Sequence, residues 1–367
     1  MKDEHRWSLR GCVCCDGSAL SLQGGGLNRR KFMTGAAAIA AVGLAKPQVV
    51  AAQAVNARPY RIDIHHHLSP PAYIAAANAN HFGEPPMKNW TPEKSLADMD
   101  KAGVAVAMLS VTTPALNPIP EDAARKLARE CNEYAARLRA DHPGRFGNFA
   151  VIPLRDVEGS LQEIAYAMDT PKADGIGLMT SYGDKWLGDS SFLPVMEELN
   201  RRKAIVSTHP TTANCCVNLV KTLQPQMIEW GTDTTRTIAD IIFSGNAQKF
   251  RDIRWIFSHA GGTMPFLIDR FVRNPLLVPS AKATVPEGTL AELRRFYYDT
   301  AQTSNKAAMS ALSALIPVSQ ILFGTDFPYR TGIDHVDGLR EAGVFTDAEI
   351  MDIERGNALK LLPRLVG

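Results

Sequence analysis

The sequence predicts an α/β chain folded as a (β/α)8 TIM barrel, on three observations. Short apolar runs alternate with amphipathic helical patterns eight times after residue 60. Alternation of that kind joins parallel strands through right-handed crossovers. Several runs end in His or Asp, and a barrel gathers the C-terminal ends of its strands at one mouth. No glycine-rich phosphate turn follows the first run, where the competing doubly wound sheet often carries one. Composition agrees with an ordinary globular chain: 367 residues, 45% hydrophobic, 21% charged, formal net charge +2. No basic excess points to nucleic acid, and the six cysteines form no disulfide framework.

Residues 1–54 are expected to stand outside the barrel, which then occupies 55–367. Arg29 and Arg30 precede Phe32, an alanine-rich apolar run covers Ala36 to Ala45, and Ala52-Gln53-Ala54 offers small residues to a signal peptidase. This is the layout of a twin-arginine signal peptide. The apolar run is too short for a comfortable membrane span. The expectation is a mature chain from near Val55, exported to the periplasm, with the twin-arginine translocation machinery as partner. A start codon set too early would instead leave it cytoplasmic. Cys12, Cys14 and Cys15 lack two further ligands and leave with the signal.

The first strand is Arg61 to His65. Pro92 to Ala102 reads as a helix, with Thr91 as cap, Pro at the first position and Gly103 as the stop. Val104 to Val111 is the second strand. Glu121 to Asp141 is amphipathic, with Leu127, Cys131, Tyr134, Ala135 and Leu138 at spacings of three and four. The third strand is Phe146 to Ile152, with a helix from Val157 to Met168. The fourth is Asp174 to Met179, with a helix from Phe192 to Arg202. The fifth is Ala204 to His209, and an irregular stretch through Cys215, Cys216 and Pro225 leads to a helix from Asp233 to about Phe243. The sixth is Arg254 to His259, followed by a helix from Pro265 to Arg273. Phe296 to Asp299 and Ile321 to Gly324 complete the set.

Alternation along the first strand puts Ile62, Ile64 and His66 on one face and Asp63, His65 and His67 on the other. His65 and His67 are then placed to grip one metal ion, which needs ligands from elsewhere. Strand five supplies His209, strand six His259 and strand eight Asp326. Strand parity groups His209 with Ser207, His259 with Phe257 and Asp326 with Gly324. His66 is expected to pack on the barrel outside, and Cys131 in the core. Cys215 and Cys216 fall in the loop after His209, best read as packed there. Trp90 and Trp186 fall in loops that wall the pocket or pack the core.

These residues resemble the amidohydrolase superfamily, in the branch typified by aminocarboxymuconate-semialdehyde decarboxylase. The resemblance spans Arg61 to Leu362. It rests on Asp63-Ile-His-His-His67, Ser207-Thr-His-Pro210, Ser258-His-Ala-Gly-Gly262, Tyr298-Asp299 and Gly324-Thr-Asp-Phe-Pro328. Within the branch, Pro143-Gly-Arg-Phe146, Asp233-Thr-Thr-Arg236 and Tyr297-Tyr-Asp-Thr300 are most similar to the 6-methylsalicylate decarboxylases. The resemblance implies a metal-dependent hydrolase type of barrel. His65, His67, His209 and Asp326 would hold one divalent ion, zinc first and manganese second, with His259 and Asp326 as the catalytic acid/base pair. The carboxylated lysine of two-metal relatives has no counterpart at Leu178-Met179-Thr180, so a single metal is implied.

The implied reaction is non-oxidative decarboxylation of a small aromatic or muconate-like carboxylic acid. The alternative is metal-dependent hydrolysis of a lactone, ester or amide. Arg270 is the first candidate for binding the substrate's anionic groups and Arg236 the second. The arginine that the muconate-semialdehyde enzyme carries ahead of its second strand has no match between Ala72 and Trp90. A homodimer is implied by analogy alone.

Overall fold

The computed structural model describes residues 59–365, so the reading of 1–54 as a signal lies outside the described residues. Eight parallel strands pair in chain order: β1 (Arg61–Leu68), β2 (Val104–Val111), β3 (Phe146–Val151), β4 (Gly175–Met179), β5 (Ile205–His209), β6 (Arg254–Phe257), β7 (Tyr297–Asp299) and β8 (Ile321–Leu322). Closure from β8 back to β1 runs through residues at and beyond the end of β8. Ile64 N donates to Phe323 O at 2.9 Å, Asp326 N to His65 O at 2.8 Å, and His67 N to Phe327 O at 2.9 Å.

The main crossover helices are α1 (Pro71–Ala79), α2 (Pro92–Ala102), α3 (Glu121–Asp141), α4 (Val157–Asp169), α5 (Leu193–Arg201), α6 (Glu229–Phe243), α7 (Ile268–Leu277), α8 (Lys306–Ser313) and α9 (Gly332–Glu341). Their local chemistry explains their ends. The Thr91 side chain accepts from Lys94 N, Pro92 opens α2, and Gly103 closes it at φ 65°. In α3 the stripe Ala124, Leu127, Ala128, Cys131, Ala135 and Leu138 is buried. Helix α6 begins at Glu229, one turn before the expected Asp233, and in its first turns Thr232 and Thr234 donate their hydroxyls to Ile228 O and Trp230 O. Helix α7 starts later than expected, at Ile268. Helix α1 was not read from the sequence, since its run Pro-Ala-Tyr-Ile-Ala-Ala-Ala-Asn-Ala has no amphipathic stripe.

Two apolar layers result. Ile62, Ile64, Val106, Met108, Phe149, Ile205, Ile256 and Leu322 fill the barrel, joined by Leu361 and Leu362. The larger layer lies between strands and helices and includes Ala107, Leu109, Trp255, Phe257, Tyr298 and Phe323. The filled interior leaves the strand ends as the place for chemistry.

Candidate metal and proton-transfer site

Simple alternation does not describe β1. Asp63 pairs with Ala107 and His66 with Leu109, so β1 spends one residue more than β2 over this stretch. This β-bulge resets the parity. Ile62 and Ile64 belong to the barrel interior rather than sharing a face with His66. Asp63 and His66 come together on the outer side, with Asp63 Oδ2 2.9 Å from His66 Nδ1. His66 Nε2 lies 3.0 Å from Ser95 Oγ on α2, and the ring stacks on Phe327. His66 therefore packs outside the barrel mouth, as expected, while His65 and His67 converge inside it.

His259 also departs from strand parity. Phe257 stacks on Trp255 in the outer layer, so continuing the strand would send His259 outward too. Instead His259 and Ala260 take φ values of 54° and 55°, and this left-handed turn brings the ring into the mouth. Asp326 sits at φ 61°. Non-glycine residues adopt this region at a cost of order 1 kcal/mol each, held by surrounding contacts. Gly324 is required for closure, because a Cβ there would lie 2.8 Å from the His65 Cβ.

The five side chains meet. His65 Nε2 is 3.2 Å from His67 Nε2 and 3.2 Å from Asp326 Oδ1. His67 Nε2 is 2.8 Å and His209 Nε2 3.6 Å from the same oxygen. His259 Nε2 is 3.6 Å from Asp326 Oδ2. One atom from each of His65, His209, His259 and Asp326 falls within a 4.8 Å group.

The far side of each ring fixes its tautomer. His65 Nδ1 faces Asp299 Oδ2 at 2.8 Å, His67 Nδ1 faces Ser110 O at 3.3 Å, and His209 Nδ1 faces Pro210 O at 2.8 Å. Each of those oxygens can only accept, so each Nδ1 carries the hydrogen and each Nε2 turns a lone pair inward. His209 Nε2 and His259 Nε2 are buried without a hydrogen-bond partner. Converging lone pairs, a carboxylate and orphaned nitrogens suit a divalent cation, so the residues present fit one.

Electrostatics follow from burial. Burial disfavours charge on His209 and pushes its pKa down to about 3; it lowers His67 as well. Burial opposes charge on His65 too, but Asp299 and Asp326 outweigh it and hold that pKa well above the usual range, so a proton and a metal cation compete for the same Nε2 lone pair. Burial would raise Asp326, yet the surrounding imidazoles hold it well below the ordinary carboxylate value.

The cleft above is lined by Pro86, Met227, Trp230, His259, Gln302, Asp326, Tyr329 and Arg330, among others. Gln302 Nε2 donates to Asp326 Oδ2 at 2.8 Å. Trp230 stands 5.8 Å from the His209 ring. Arg270 is exposed on α7, and the arginine that borders the cleft is Arg330. Arg236 lies 3.9 Å from both Glu229 and Asp233, away from the cleft lining. Asp233 accepts from Thr180, Ser181 and Trp186, tying the loops after β4 to α6. Trp90 is buried and donates to Ser95 Oγ. Cys215 is exposed and Cys216 buried.

Sequence reasoning did not assign Asp299, Gln302, Trp230 or Arg330. Asp299 ends a barrel strand and Gln302 follows it closely, so position alone would have flagged both. Trp230 reaches the cleft from the first turn of α6, which begins earlier than the sequence suggested, and Arg330 from a loop path that no local pattern encodes.

Comparison with known proteins agrees with this geometry. A family model described as Amidohydrolase matches residues 62–364. The chain is 39% identical over 326 residues to decarboxylase yanB of Aspergillus niger, covering 83% of this chain and 88% of that protein. It is 37% identical over 320 residues to the 6-methylsalicylic acid decarboxylase acuB of Aspergillus aculeatus, covering 83% and 96%. In fold it is similar to the 5-carboxyvanillate decarboxylase of Sphingomonas paucimobilis, with TM-score 0.73, 18% identity, and coverage of 83% and 99%. Barrel, converging strand ends and sequence similarity together show that the chain belongs to the amidohydrolase family, in its decarboxylase branch.

Proposed function

We propose that the chain is a metal-dependent, non-oxidative decarboxylase of a small aromatic carboxylic acid of the 2-hydroxybenzoate type. The observation that carries this is the convergence of His65, His67 and His209 Nε2 on Asp326, with His259 beside them at the floor of an aromatic-walled cleft. His65, His67, His209 and Asp326 would hold one divalent ion, with zinc the expected metal and manganese compatible. When bound, the ion supplies a fixed positive charge that anchors the substrate's carboxylate or neighbouring hydroxyl.

The rest is done by the chain. Trp230 and Tyr329 border the space for the ring, and Arg330 at the rim offers a cation to the anionic acid in the place first read for Arg270. His259, with Asp326 3.6 Å away, delivers a proton to the ring carbon that bears the carboxylate. A new C–H bond forms and ring conjugation is broken. The bond to the carboxylate carbon then cleaves, its electron pair returns to the ring, and carbon dioxide leaves. One proton is consumed per turnover and no oxidant is required. The relative that by name acts on 6-methylsalicylic acid supports this substrate class.

The test is turnover of a panel of 2-hydroxybenzoates by metal-quantified protein in deuterated water. Carbon dioxide release with one deuterium at the vacated carbon is expected. Turnover confined to lactones, esters or amides overturns the reading in favour of a hydrolase. We also propose export by the twin-arginine route, supported by Arg29, Arg30 and the Ala52-Gln-Ala54 site. N-terminal sequencing of periplasmic protein should begin near Val55, and secreted protein that retains Arg29 and Arg30 would sink the idea.

A further inference from the structure

Asp299 has no part in the reaction as drawn, yet its carboxylate touches two groups that do. It is 1% exposed at the end of β7. Its Oδ2 accepts from His65 Nδ1 at 2.8 Å. Its Oδ1 accepts from His259 N and from Ala301 N, both at 3.0 Å. The first contact sets which nitrogen of His65 faces Asp326. The second holds the backbone of a residue at φ 54°, a conformation that needs support to persist. Strand parity alone would have turned His259 away, so this turn is what brings its ring into the mouth.

We infer that Asp299 is a positioning residue for both halves of the site. It aims the His65 lone pair at the metal position and pins the turn that presents His259. One carboxylate thereby couples metal affinity to the placement of the proton donor. The inference rests on the reading of His65 as a ligand and His259 as the proton-transfer residue. The chemistry is demanding, because donors converge on both oxygens. A carboxylate accepts at each, whereas a carboxamide has a single acceptor oxygen.

That difference defines the experiment. In Asp299→Asn the amide oxygen stays with the two backbone N–H groups, which outnumber the single imidazole donor. The amide NH2 then faces His65 Nδ1 and disfavours the tautomer that binds metal. Manganese affinity, measured by chelator competition, should weaken about 10- to 100-fold. Turnover at saturating manganese should return close to the wild-type value, since the His259 turn is kept. Asp299→Ala removes both anchors, so its turnover should stay low even at saturating manganese. Wild-type manganese affinity in the Asn variant overturns the inference, as does full metal rescue of the Ala variant.

If the Ala variant does not fold, zinc-loaded wild-type protein answers by NMR. A hydrogen-bonded proton on His65 Nδ1 and a slowly exchanging His259 amide are expected. Loss of either signature overturns the bridging role. Wild-type protein that binds no metal would overturn the reading of the whole site. Wild-type protein that binds metal beside an unchanged Asn variant would overturn this inference alone.

Discussion

The lower and upper parts of the barrel interior are built by the same strands and have opposite chemistry. Below, Ile62, Ile64, Val106, Met108, Ile205, Ile256 and Leu322 form a dry apolar plug. Above, His65, His67, His209, His259, Asp299 and Asp326 are nearly as buried, and all are ionisable. On β1 the boundary falls between Ile64 and His65; on β5 it falls between Ile205 and His209. The plug excludes water from beneath the polar cluster, so charges there act on one another through a weakly screening medium. This is why neighbouring imidazoles shift in opposite directions: burial wins at His209, and two carboxylates win at His65. The lower half supplies stability, and the upper half uses it to hold groups that would not pack together unaided.

Substitutions on the two sides should separate these roles. The largest effect is expected at Asp326→Asn, which removes the carboxylate common to four imidazoles. Turnover should fall about 10³-fold or more with loss of bound metal, while the protein remains folded. Metal analysis beside steady-state kinetics checks this. Retained metal with retained turnover would contradict the division.

The converse is Ile256→Ala in the fully buried plug. It should cost about 3 kcal/mol of unfolding free energy through the cavity it leaves, with metal content per folded molecule unchanged. Denaturant unfolding together with metal analysis decides it. A selective loss of metal at unchanged stability would mean that the two halves are not distinct.

Ser95→Ala probes the outer flank of the site. Ser95 Oγ serves both Trp90 Nε1 and His66 Nε2, so its loss should cost about 1–3 kcal/mol with little change in turnover. A large fall in turnover would move His66 into the reaction.

The smallest effect is expected on the outside of the barrel. Contacts to Arg201 and Arg202 hold the Glu198 pKa down to about 2, below its ordinary 4.5. A carboxylate whose folded pKa is depressed adds stability above its unfolded pKa and loses it as pH falls. Glu198→Gln should therefore melt below wild type near neutral pH. The gap should close as pH falls from about 4.5 to about 2. A gap independent of pH would remove the ion pair as its cause.

Much of this molecule was legible because its signals are local. Helices α2 and α3 have the bounds that caps and apolar spacing predict. His209 follows Ser207 inward on an unbroken strand, so parity placed it correctly. Parity failed at β1 and at His259, for the same reason. Both depend on backbone departures, a bulge and a left-handed turn, that are stabilised by groups distant in the chain. The β1 bulge is held partly by Thr325, whose N–H and hydroxyl both reach Asp63. The turn at His259 is held by Asp299, 40 residues onward.

The sequence by itself determined the alternation of strands and helices, the family, and which strands end in histidine or aspartate. Periodicity, capping and residue type are properties of neighbours along the chain. Only the tertiary structure decided that a bulge in β1 separates Ile62 and Ile64 from the face of His66, how His259 reaches the mouth, and that Asp299 touches both halves of the site. Those outcomes depend on hydrogen bonds that form once β1, β6, β7 and β8 lie side by side, and no local pattern encodes them.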